Sequence, residues 1–299
     1  MRRSIIALIF IILLASACAP LASQPDLKTG PVILTSTTFL ADMARNVAGD
    51  RLQVDSLLPT GADPHGYQPT PSDVAKISKS TVLIINGLGY EQFLNTLLEN
   101  AGGQRNVIEG TAGLSPRKVA GLEHGVDPHM WLDPNNVIIY AENIRDVLAK
   151  ADPDGAAIYK KNADVYVAQL KALDAWIVEQ VNQIPTERRL LVTNHEALGY
   201  FADRYGFTVI GAVVPGFSTD AAPSAQQMAG LIDLIKSSGA PAIFLGRVES
   251  NTLAAQIANE TSAKVVSDLY LESLTAGAPA ATYIDMMKHN VTRIVEALK

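Results

Sequence analysis

The strongest constraint on the fold is a stretch with nothing in it to stop a helix. Residues 154–181 contain no proline and no glycine after Gly155, and the next proline is Pro185. Apolar residues recur at Ile158, Val165, Leu170, Leu173, Ile177 and Val181, broadly at helical spacing. About 28 residues at ~1.5 Å each would make a rod of ~42 Å. On either side, short apolar runs alternate with longer amphipathic segments, the pattern of β/α units around a mainly parallel sheet. The spacing predicts strands near 32–35, 53–57, 82–86 and 106–108 before the rod, and near 189–193, 208–213, 242–245 and 264–266 after it. Helices are predicted at 39–48, 72–79, 90–100 and 136–150, then at 195–205, 224–238, 251–261 and 282–298. The fold expected is therefore α/β: two lobes, residues 31–152 and 186–299, joined by one long helix within 153–185. A single stiff rod disfavours large hinge closure.

The first residues have another purpose. Arg2 and Arg3 precede an apolar run over residues 5–14, and small residues follow. That run is too short to span a bilayer as a mature helix. Residues 1–17 read as a signal peptide and 18–30 as a tether, so the protein is expected to be exported. Ala15-Ser16-Ala17 fits an ordinary signal-peptidase site, while Leu14-Ala15-Ser16-Ala17-Cys18 resembles a bacterial lipobox with Ala15 where Leu is usual. Cys18 is the only cysteine in the chain, so it has no disulfide partner, and its place at this boundary favours a lipid anchor. The chain has a net charge of −6 and no basic stripe, which argues against nucleic acid as a partner.

Three histidines stand where chemistry would put them. His65 lies in the Gly- and Pro-punctuated loop Gly61-Ala62-Asp63-Pro64-His65-Gly66-Tyr67-Gln68-Pro69-Thr70-Pro71. Its prolines keep the preceding residues out of helix, and Thr70 or Ser72 can cap the helix that follows. Asp127-Pro128-His129 repeats the turn, with Trp131 and Leu132 as an apolar anchor and Pro134 and Asn135 opening the next helix. Read alone, His129 serves packing as well as binding; the repetition tips it toward binding. His195 ends the apolar run 190–193 and is predicted to open a helix. Neutral imidazole is the commonest protein ligand for a transition metal, and a strand's carboxyl end is where open α/β sheets place ligands. A fourth, carboxylate ligand is expected from the loop after the last strand, where Glu272 and Asp268 compete. His195-Glu196 does not continue into a zinc-protease helix, because Gly199 stands where its second His belongs. His124 reads as a loop residue and His289 as surface. Gly87-Leu88-Gly89 lacks the third glycine of a dinucleotide fingerprint and reads as a turn.

These segments resemble the metal-binding solute-binding proteins of bacterial ABC importers for zinc and manganese. The matching pieces are Gly61-x-Asp63-Pro64-His65-x-Tyr67-x-Pro69-x-Pro71-x-Asp73, Asp127-Pro128-His129-x-Trp131-Leu132-Asp133-Pro134, and Thr193-Asn194-His195-x-Ala197-x-x-Tyr200-Phe201. Ser218-Thr219-Asp220-x-x-Pro223-Ser224 and Tyr283-x-x-Met286-Met287-x-x-Asn290 extend the resemblance over nearly the whole chain from about Val32. It implies a metal site in the cleft between the lobes, with ligands His65, His129 and His195. It also implies an aspartate as the fourth ligand, and Glu272 takes that place here. The His-rich loop of many zinc relatives is reduced to residues 121–126.

Three imidazoles and a carboxylate suit tetrahedral Zn²⁺. Manganese relatives tend to exchange an imidazole for a second carboxylate, in keeping with that ion's preference for oxygen. The expectation is thus a monomeric, extracytoplasmic, non-enzymatic protein that captures Zn²⁺ for an ABC permease. The alternatives are a Mn²⁺-binding protein of the same type, a surface adhesin, or a zinc metallohydrolase, which would need an open coordination position and a base.

Overall fold

The structure is a computed structural model that describes residues 30–118, 125–219 and 222–299. The readings on the leader, Cys18, His124 and Asp220 fall outside the described residues.

Before the long helix the order is β1 (Ile33–Thr35), α1 (Thr38–Ala48), β2 (Val54–Ser56), α2 (Pro71–Lys79), β3 (Val82–Ile85), α3 (Leu94–Ala101), β4 (Asn106–Glu109) and α4 (Pro134–Ala151). Then come α5 (Ala156–Val181), β5 (Leu190–Thr193), α6 (Gly199–Tyr205), β6 (Thr208–Ala212) and α7 (Ala225–Ser238). The chain closes with β7 (Ala242–Gly246), α8 (Thr252–Glu260), β8 (Lys264–Leu269) and α9 (Tyr283–Leu298). The strands form two four-stranded sheets, ordered β2-β1-β3-β4 and β6-β5-β7-β8, so both lobes have the same topology. Every strand pairing within them is parallel; Ile33, for example, faces Val54 on one side and Val82 on the other. Every residue of β7 is buried, as is usual for a parallel strand covered on both faces.

Polar residues set the helix starts. Pro71 opens α2, and the Asp73 carboxylate accepts both the backbone N–H and the hydroxyl of Thr70 at 2.8 Å. Ser224 and Gln227 make the same reciprocal cap on α7. Asp133 caps α4 by accepting the Asn135 N–H at 2.9 Å.

The long helix runs 26 residues, about 39 Å at ~1.5 Å each. Its buried face is Tyr159, Ala163, Tyr166, Leu170, Leu173, Ile177 and Val181. Ile158 and Val165, counted above in the apolar stripe, are instead exposed. Each lies one residue off the 3.6-residue period that the two tyrosines continue. The helix packs against α1, α4 and α9, and one continuous core joins residues of both lobes around it. From the second lobe, α9 returns to the first. The Tyr283 N–H donates to Asp42 Oδ2 at 2.9 Å and its hydroxyl to the Trp131 carbonyl at 2.6 Å.

Two helices start four residues later than predicted. α3 begins at Leu94 because Gly87, Leu88 and Gly89 all have positive φ, and the Glu91 carboxylate accepts the N–H groups of Asn86 and Gly87. α6 begins at Gly199 because the Thr193 hydroxyl holds the His195 carbonyl at 2.6 Å while the Glu196 N–H pairs with Gly216. Both departures place side chains at the cleft. Among the described residues no helix is long and apolar enough to cross a membrane.

Candidate metal centre

The loops leaving the carboxyl ends of the strands face one another across the cleft, the position where open α/β sheets bind ligands. His65 follows β2, His129 follows β4, His195 follows β5 and Glu272 follows β8. One donor atom from each lies within 4.8 Å of the others, and all four residues are buried. Glu272 Oε1 is 3.2 Å from His195 Nε2, 3.5 Å from His129 Nε2 and 4.0 Å from His65 Nε2. Among the described residues, His65 Nε2 and Glu272 Oε1 are buried without a hydrogen-bond partner, an arrangement a cation would satisfy.

Asp268, the competitor for the fourth place, lies outside the group. It pairs with Arg293 Nε at 2.8 and 3.1 Å. His289, read above as surface, is half-buried: its Nε2 lies 2.9 Å from the Asp268 carbonyl and its ring packs edge-on to Tyr270. The Glu196 carboxylate accepts the Gly216 N–H at 3.4 Å and is not part of the donor group.

Behind the donors stands a layer of which the sequence motifs held only Asp127, without showing its role. Asp127 Oδ1 lies 2.9 Å from His129 Nδ1, and Glu249 Oε1 lies 2.8 Å from His195 Nδ1. The Tyr90 hydroxyl donates to Glu272 Oε2. Arg117 meets Asp127 at 3.1 Å and, across the cleft, Asp203 on α6 at 2.6 Å. A side chain at position 199 would overlap that guanidinium, so Gly199 leaves it room. The lobes are further tied where the Thr219 hydroxyl donates to Asp63 Oδ2 at 2.7 Å and the Gly61 N–H donates to Ser273 at 2.8 Å. A cavity of about 410 Å³, lined by His65, Leu88, Tyr90, Pro128 and Phe217, opens from the cluster to solvent.

The electrostatics follow from this packing. Burial pushes the His65 imidazole below its ordinary value, only partly offset by Glu272. Burial opposes charge on His129 as well, but Asp127 and Glu272 outweigh it and raise that ring. At His195 burial is overcome by Glu249 and Glu272, which lift it to about 10. Burial would raise Glu272, yet His129 and His195 hold it well below the carboxylate range. Without an ion, the Glu272 carboxylate and the protons on His129 and His195 offset one another, and an ion entering the cluster would displace those protons.

A buried donor cluster between two like β/α lobes defines a metal-binding protein by its fold and site. The family model described as zinc-uptake complex component A, periplasmic, matches residues 33–297, and the chain belongs to that family. It is 37% identical over 270 residues to the manganese-binding lipoprotein MntA of Halalkalibacterium halodurans, covering 90% of this chain and 89% of that protein. Among solved structures, the Mn-bound periplasmic metal binding protein of candidatus Liberibacter asiaticus superposes with a TM-score of 0.82 at 30% identity, covering 90% of this chain and 100% of that one. The periplasmic zinc binding protein TroA of Treponema pallidum superposes with a TM-score of 0.83 at 28% identity, covering 90% and 99%.

Proposed function

We propose that the protein captures a divalent transition-metal ion outside the cytoplasmic membrane and delivers it to the permease of an ABC importer, with zinc as the ion its donors suit best. The observation that carries this reading is the convergence of three imidazoles and one carboxylate, all buried, from four separate loops. Three nitrogens and one oxygen match tetrahedral zinc, whose Zn–N distances are about 2.0–2.1 Å. His65, His129, His195 and Glu272 would be the ligands. Carboxylates behind two of the rings would fix their orientation and raise their donor strength. Capture requires neutral imidazoles, so affinity should fall as pH drops and protons compete.

Manganese is the second reading, supported by the manganese-binding relative at 37% identity. Here the third donor, His195, and a single carboxylate weigh toward zinc, because manganese prefers oxygen ligands. Relatives named as lipoproteins support attachment through a lipid on Cys18. Elemental analysis of the protein as isolated, followed by competition of Zn²⁺ against Mn²⁺ in calorimetric titration, tests the proposal. The expected result is one ion per chain with zinc displacing manganese. Preferential manganese binding would move the assignment to the second reading, and failure to bind either ion would end both.

A further inference from the structure

Glu249 is a buried carboxylate in the loop after β7, and its placement depends on a missing side chain. Its Oε2 accepts the Gly246 N–H, and its own N–H donates to the Gly246 carbonyl at 3.1 Å, making a tight turn. A Cβ on residue 246 would lie 3.0 Å from the Glu249 carboxyl carbon and 3.2 and 3.3 Å from its oxygens. Gly246 is not among the glycines with positive φ, so space for that carboxylate, not backbone angle, calls for glycine. Seated there, Glu249 turns Oε1 to within 2.8 Å of His195 Nδ1, with both side chains fully buried. The pair touches without the alignment of a settled hydrogen bond, and neither atom has another partner among the described residues.

A neutral imidazole has one N–H and one lone pair, and only the nitrogen bearing the lone pair can bind a metal. His195 Nε2 faces the cluster, 3.2 Å from both His129 Nε2 and Glu272 Oε1. We infer that Glu249 is a positioning residue for His195: its carboxylate holds the ring proton on Nδ1 and so presents the Nε2 lone pair to the ion, with Gly246 as its seat. This rests on the metal-capture reading above and adds to it a residue that touches no ion.

The Glu249→Gln variant separates this role from simple packing. Glutamine keeps the size and can still accept the Gly246 N–H through its oxygen, which leaves an NH₂ facing Nδ1. That donor favours the opposite tautomer, with the proton on Nε2. Zinc affinity, read by competition with a chelator, should fall about 10- to 100-fold, the range for losing such a partner. The slowly exchanging Nδ1 proton of His195, visible by NMR in the zinc-loaded wild type, should disappear. Gly246→Ala, which leaves Glu249 in the chain but crowds its seat, should give a smaller loss in the same direction and serves if Glu249→Gln fails to fold. A wild type that binds zinc beside a Glu249→Gln or Gly246→Ala variant of equal affinity and unchanged Nδ1 signal would overturn the inference alone. A wild type that binds neither zinc nor manganese would remove the reading beneath it as well.

Discussion

In both Asp-Pro-His turns of the first lobe, the aspartate Oδ1 accepts the histidine N–H, at 2.9 Å for Asp63 and 3.0 Å for Asp127. The tripeptide therefore builds the same local turn twice. What differs is the rest of each carboxylate. Asp127 is fully buried, also lies against its own histidine's ring, and is neutralised by Arg117. Asp63 leaves the His65 ring alone and spends its second oxygen on Thr219 of the opposite lobe. One turn fixes a ring; the other ties two lobes together. Local sequence sets the turn, and the surroundings decide what the spare oxygen does.

The comparison can be broken most directly at the rings. His65→Ala and His129→Ala should each weaken zinc binding by more than ~100-fold, beyond the loss expected for removing an outer partner. Calorimetric titration in which either variant binds like wild type would remove that ring from the site. The aspartates sharpen the contrast. Asp127→Asn should cost about 10- to 100-fold in zinc affinity, and Asp63→Asn less than ~10-fold, because only Asp127 orients a ring. Equal losses would mean that the two turns act alike. Next in size, Arg117→Met strips a partner from buried Asp127. Arg117 is partly exposed, so the cost should be about 1–3 kcal/mol in denaturant unfolding rather than the full price of breaking a buried pair. An unchanged midpoint would show that Asp127 does not need it.

The subtlest test is titration of the metal-free rings by NMR. His129 is raised, so its contribution to stability is complete below the ordinary value of 6.5 and is lost as pH rises through its folded value. His65 is lowered, so its contribution is present above 6.5 and is lost as pH falls toward its folded value. The two signals should move on opposite sides of 6.5. Rings that titrate together would show that the Asp127 contact does not distinguish them.

Much of the architecture was legible because its signals are local. Breaker-free residues 154–181 announced the long helix, and alternating apolar runs announced two parallel sheets. The repeated Asp-Pro-His marked two of the histidines, and Glu272 was one of two acids within the five residues 268–272. Apart from Asp127, the supporting residues left no such mark. Glu249 lies in the β7–α8 loop with no histidine beside it, and only its position three residues past Gly246 could have drawn notice. Arg117 reaches Asp203 across 86 positions, and Tyr90 reaches Glu272 across 182. The late start of α6 was hidden for the same reason: the Glu196 N–H is taken by Gly216, 20 residues on, which no helical period records.

The return of α9 has a bearing on how the chain is made. Asp42 waits 241 residues for the Tyr283 N–H, and Thr38 waits 236 for that of Leu274. Synthesis proceeds from the amino terminus, so the earliest helix emerges long before the groups that complete it. The first half is thus held unfinished until nearly the last residue arrives, and closures over such separations are slow. A message cut short before codon 283 would yield two sheets without the clasp that joins them.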